Sequence, residues 1–150
     1  MRLFNLLSGP AVALAALLAS TSALAEQSIS DGRYEIHYNA FNSSFVTPEV
    51  AQANNLVRSK YRALVNVSVL EMQDDGSKQP VRAIVSGQAS NLLNQAQTLE
   101  FKQIDEGDAL YYIGSFRFTE DEQLKINLNV QPDPNKPAYT IEFDQRFYVD

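Results

Sequence analysis

Arg58, Lys60 and Arg62 recur at every second position of the stretch "VRSKYRA". On an extended backbone that spacing sets all three cations on one face. Like charges in a row repel unless an anion or nearby acids balance them. The triplet is therefore a candidate seat for a carboxylate, a phosphate or an acidic loop of a partner. The competing expectation is a solvated strand start paired with acids of a neighbouring strand, since surface charges are usually just solvated.

His37 is the only histidine of the chain. It alternates with Tyr34, Ile36 and Tyr38 and shares its strand face with Arg33, Glu35 and Asn39. A general base needs an orienting acceptor and a nucleophile within reach. Ser43 and Ser44 are near in sequence, but no G-x-S-x-G elbow is present. A zinc site needs three or four ligands, and the chain offers one histidine and no cysteine. His37 is expected as a polar position on the outer face of a strand. The candidate binding residues are thus Arg58, Lys60, Arg62, His37, Asn39 and Asn42. No catalytic residue, metal ligand or cofactor is expected.

The acidic clusters at Asp74/Asp75, Asp105/Glu106/Asp108, Glu120/Asp121/Glu122 and Asp133 do not match a calcium loop of D-x-D-x-D-G type. Acids at such places serve turn backbones. Tyr111 falls on the strand face opposite Tyr112 and is a candidate exposed aromatic.

The elements that carry these residues show a period of two. Apolar side chains alternate through 34–40, 61–69, 81–89, 99–101, 110–118, 124–130 and 139–147, as in half-buried strands. Asp74-Asp75-Gly76-Ser77, Asp105-Glu106-Gly107-Asp108 and the proline-rich 132–137 separate the runs as turns. About seven strands in one short domain predict an all-β antiparallel sandwich of immunoglobulin-like type; a closed barrel is the alternative. One segment breaks the pattern. Thr47-Pro48-Glu49 can cap and start a short helical turn through 47–54. It lies in a long connection between the first two strands, and such structured connections often carry function.

Residues 1–25 read as a secretory signal. Arg2 precedes an apolar run, and Ala23-Leu24-Ala25 presents small residues for cleavage after Ala25. Residues 26–150 then form one domain, with export to the periplasm and no stable membrane insertion after cleavage. The chain has 12 Lys and Arg against 18 Asp and Glu, a net charge of −6. Nucleic-acid binders are usually basic, so nucleic acid is not an expected partner. With no cysteine, the fold must hold by packing alone.

The strings "HYNAFNSSF" (37–45), "PEVA" (48–51), "VRSK" (57–60) and "LVNVSVL" (64–70) resemble one small family. "SGQASNLLNQAQTLEF" (86–101), "EGDALYYIGSF" (106–116) and "NVQPDPNKPAYTIEF" (129–143) fit the same pattern. The family is a set of exported gammaproteobacterial proteins known as domain of unknown function family 4426. The resemblance implies a periplasmic protein with an all-β, immunoglobulin-like fold, and it transfers no functional residue. The leading expectation is a non-enzymatic binding module for a periplasmic protein partner or a small anionic ligand. The alternatives are a small hydrolase using His37 with a carboxylate or serine, and a module that assembles by strand addition.

Overall fold

The alternating runs pair into two antiparallel sheets. The computed structural model describes residues 26–150, and the expected signal sequence lies outside the described residues. One sheet joins β1 (Gln27–Ser30), β2 (Tyr34–Asn42), β3 (Arg62–Met72), β8 (Leu110–Arg117) and β7 (Lys102–Asp105) in that order, and the short β4 (Lys78–Pro80) also pairs with β3. The other has the order β10 (Tyr139–Phe147), β9 (Glu122–Gln131), β5 (Ile84–Ser90) and β6 (Ala96–Leu99). Setting β1 and β4 aside, β2-β3-β8-β7 follows the A-B-E-D order of an immunoglobulin domain. β10-β9-β5 follows G-F-C, with β6 as an added strand. The chain is an all-β sandwich.

The described residues form ten strands against the seven runs read from the sequence. β1 and β4 are short and largely exposed, so no apolar alternation marks them. The run around Leu99 is two strands: β6 ends in one sheet, and after Glu100 and Phe101 the chain enters β7 of the other. Phe101 packs on Gly114 at this crossing. A Cβ at Gly114 would sit 3.2 Å from the Phe101 ring, so the glycine leaves room for it.

The main core lies between the inner faces. Ile36, Val65, Val67, Tyr112 and Phe116 meet Ile126, Leu128, Val130, Ile141 and Phe147. Phe147 meets Phe116 edge-on at 5.2 Å between ring centroids and Phe118 at 5.4 Å. These aromatic pairs add to the burial of the rings.

The outer face of the first sheet is not left to water. The connection after β2 forms a 3-10 turn at Ser43–Phe45 and a helix α1 (Pro48–Ala53). Thr47 caps α1 by accepting the Val50 N–H at 3.2 Å, and Pro48 and Glu49 open it, as the sequence predicts. Val46 and Ala51 join Phe41, Leu64, Ile104 and Ile113 in a second, smaller core, with Val50, Leu56 and Tyr111 packed against it. Tyr111 is therefore half-buried under the connection rather than freely exposed.

Candidate functional site

Serine and arginine side chains fix the connection from within. The buried Ser43 hydroxyl donates to the Ser59 carbonyl at 2.9 Å and accepts the Ser59 N–H at 2.9 Å. Arg58 Nε donates to the Val46 carbonyl at 2.6 Å, and Arg58 Nη2 donates to the Ser44 carbonyl at 3.3 Å. These bonds bend residues 56–61 out of strand geometry, and the Arg62 N–H turns back to the Ser59 carbonyl at 3.2 Å. The three cations consequently do not form a ladder. Arg62 opens β3 opposite Arg117 and donates from Nη1 to Ser115 Oγ at 3.1 Å. Tyr61, placed with the core by its alternation, is 55% exposed for the same reason.

Arg58 and Lys60 stay together at the end of the sandwich where β2 and β10 finish and β3 begins. With Ser44, Ser59 and Asp150 they line an open cleft of about 320 Å³. Ser44 Oγ donates to the Asp150 carboxylate, and Asn42 Nδ2 donates to its other oxygen at 2.5 Å. Asn42 Nδ2 also reaches the Tyr148 carbonyl at 2.8 Å. The Ser44 bond chiefly holds the Asp150 carboxyl below its ordinary pKa, and the Asn42 bond and the Lys60 charge act in the same direction. The cleft already seats a carboxylate, one supplied by the chain itself.

His37 and Asn39 lie farther along β2, away from this cleft. His37 occupies the outer face of β2, opposite Tyr34, Ile36 and Tyr38. Its Nε2 meets Glu35 at 2.9 Å and its Nδ1 meets Glu26 at 3.4 Å. The His37 bond is the first cause that keeps the Glu35 carboxyl below its ordinary pKa, and Lys78 adds to it. Ser43 and Ser44 bond elsewhere, so neither stands as a nucleophile beside His37. Among the described residues, no three His, Cys, Asp or Glu side chains converge as metal ligands. Asn39 is buried, directly across from the buried Asn66. Among the described residues, the Oδ1 atoms of both amides have no hydrogen-bond partner.

The acidic turns behave as turn chemistry predicts. Asp75, Asp105 and Asp133 each accept a backbone N–H two residues on, from Ser77, Gly107 and Asn135. Of the cleft residues, Ser44, Ser59 and Asp150 are absent from the sequence candidates. Asp150 lies 106 positions from Ser44, and no local spacing links them.

A family model described as a domain of unknown function, DUF4426, matches residues 28–150. The chain belongs to this family. A crystal structure of a DUF4426 family protein from Pseudomonas aeruginosa is 36% identical and superposes with a TM-score of 0.71, covering 83% of this chain and 96% of that one. FetP of uropathogenic Escherichia coli strain F11, recombinantly expressed in the periplasm of E. coli, shares the fold at 11% identity and a TM-score of 0.56, over 84% and 95% of the two chains. A copper-bound variant of FetP gives 10% identity and a TM-score of 0.59, over 84% and 97%. No curated protein sequence matches the chain.

Proposed function

We propose that this protein is an exported, non-enzymatic binding module. Its cleft at Asn42, Ser44, Arg58, Ser59 and Lys60 receives the carboxylate of a small ligand or of a periplasmic partner protein. The observation that carries this reading is Asp150. Its carboxylate is held by Ser44 and Asn42 with the Lys60 charge behind it, as an external carboxylate would be. Asp150 then acts as an internal stand-in that a ligand displaces. Arg58 shapes the cleft through its carbonyl bonds, and Lys60 supplies the attracting charge. Export to the periplasm rests on the charge, apolar run and Ala-x-Ala order of residues 1–25.

Copper is not carried over from the FetP variant. Each ring nitrogen of His37 faces one carboxylate, and among the described residues no group of three His, Cys, Asp or Glu side chains forms a metal site there.

The test is an amide chemical-shift titration with acetate and with a short acidic peptide. Shifts should cluster at Ser44, Ser59 and Lys60 and disappear in Lys60→Glu. Shifts that persist unchanged in Lys60→Glu would remove the reading.

A further inference from the structure

Two clefts meet at Asp150. The Lys60 cleft lies on one side of it. On the other, Asn42, Phe45, Tyr148, Val149 and Asp150 help to line an open cleft of about 330 Å³. The two adjoin along the chain as well, since Ser44 lines the first and Phe45 the second. Asn42 holds the wall between them, with Nδ2 on the Asp150 carboxylate at 2.5 Å and on the Tyr148 carbonyl at 2.8 Å.

The second cleft differs from the first in chemistry. Phe45 is 41% exposed there and Tyr148 55%. The polar groups beside them are already bonded within the fold. Gln145 Nε2 donates to the Ala40 carbonyl at 3.0 Å, and the Val149 N–H donates to Glu120 Oε1 at 2.6 Å. Arg146 donates from Nη1 to Asp121 Oδ1 at 3.0 Å and from Nη2 to Gln123 Oε1 at 3.0 Å. The Arg146 charge is thus occupied by Asp121, and what the cleft offers a ligand is aromatic and apolar surface. Ligand sites commonly join such surface to a few placed polar groups, in clefts of this size. A protein partner would need roughly 800 Å² of surface with a charge-depleted centre. Here Glu120, Asp121 and Arg146 stand exposed around the aromatic pair, which fits the rim of a small-molecule site.

We infer that the adjoining clefts take a small monocarboxylic acid with an aromatic or alkyl body. Its carboxylate replaces that of Asp150 at Ser44, Asn42 and Lys60, and its body lies against Phe45 and Tyr148. The inference rests on the carboxylate reading and adds the class of ligand to it.

The test titrates the protein with acetate, 3-phenylpropionate and the uncharged 3-phenylpropan-1-ol, read by amide chemical shifts. 3-Phenylpropionate should bind at least about tenfold more tightly than acetate, because its ring leaves water. It should shift the Phe45 and Tyr148 amides together with Ser44. Phe45→Ser/Tyr148→Ser should bring the ratio of the two affinities down to about one, and Lys60→Glu should abolish binding of both acids. The single variants, each losing part of the ratio, serve if the double variant melts early. A ratio of one in the unmodified protein, with acetate binding still lost in Lys60→Glu, would overturn the apolar body and leave the carboxylate seat standing. Absence of binding by either acid, or binding undiminished in Lys60→Glu, would overturn both. Equal affinity for the alcohol, or a ratio that survives the double variant, would overturn the inference. So would a dimer that Tyr148→Ser dissociates, which would assign the aromatic cleft to a second copy.

Discussion

Gln97 pairs with the backbone of Arg117 as a neighbouring strand would. The Arg117 N–H donates to Gln97 Oε1 at 2.8 Å, and Gln97 Nε2 donates to the Arg117 carbonyl at 2.7 Å. β7 covers β8 only from Leu110 to Ile113, so among the described residues the far part of β8 has no strand on that side. The side-chain amide fills part of the gap and ties β6 of one sheet to β8 of the other. Gln97→Ala should cost about 1–2 kcal/mol, two hydrogen bonds at their usual net worth. Hydrogen exchange at the Arg117 amide should quicken. Unchanged exchange at Arg117 would show that the pair is idle.

Arg58 makes the corresponding tie in the connection. Its guanidinium spans the Val46 and Ser44 carbonyls, a fork that a lysine cannot reproduce. Arg58→Lys and Arg58→Ala should both destabilise, by about 1.5–3 kcal/mol for Ala, since a charged donor is lost. Lys60→Ala should leave stability within about 0.5 kcal/mol, as for an exposed charge. Denaturant melts of the three variants decide whether Arg58 is the structural member of the pair.

Gly87 is required for packing. Its partner across β5 and β9 is Leu128, and a Cβ at Gly87 would lie 2.3 Å from the Asn127 carbonyl oxygen. Backbone cannot yield as a side-chain tip does. Gly87→Ala should cost about 1–3 kcal/mol through this overpacking. Gly32→Ala meets nothing, but at φ +91 it is strained by conformation alone. A Gly87→Ala melt equal to that of the unmodified protein would contradict the register.

Asp31 and Tyr139 give the pH dependence a sign. The Tyr139 hydroxyl donates to Asp31, and this bond, with the Tyr34 and Arg33 amides, lowers the Asp31 carboxyl to about 2. The same bond raises the Tyr139 phenol to about 12. A depressed carboxyl adds stability above its unfolded value of 3.8 and loses it as the pH falls toward about 2. A raised phenol adds stability below its unfolded value of 10 and loses it as the pH rises toward about 12. The Tm difference between the unmodified protein and Tyr139→Phe should be widest near neutral pH and narrow at both extremes. A difference independent of pH would refute the bond.

The two-residue period reached the fold because both sheets bury one face in a single core. Ile36, Val67, Ile126 and Leu128 alternate cleanly for that reason. The pattern misled where a second layer covers the outer face. Asn39 and Tyr111 read as outward positions, yet Asn39 is buried and Tyr111 packs against the cluster that Val46 and Ala51 of the connection share, because that connection covers part of a face that alternation assigns to water. The Arg58-Lys60-Arg62 ladder failed on one hydroxyl. Ser43 claims the Ser59 backbone and breaks the extended run the spacing requires. Asp150 was illegible as a cleft residue, since only the closing of β10 beside β2 brings it to Ser44.

The most direct measurement compares acidic-peptide affinity in the unmodified protein, Asp150→Asn and Lys60→Glu. If Asp150 is the internal stand-in, its removal frees Ser44, Asn42 and Lys60. Asp150→Asn should then bind about tenfold more tightly, some 1.4 kcal/mol, while Lys60→Glu should lose binding. Weaker binding by Asp150→Asn, or undiminished binding by Lys60→Glu, would contradict a carboxylate-receiving cleft.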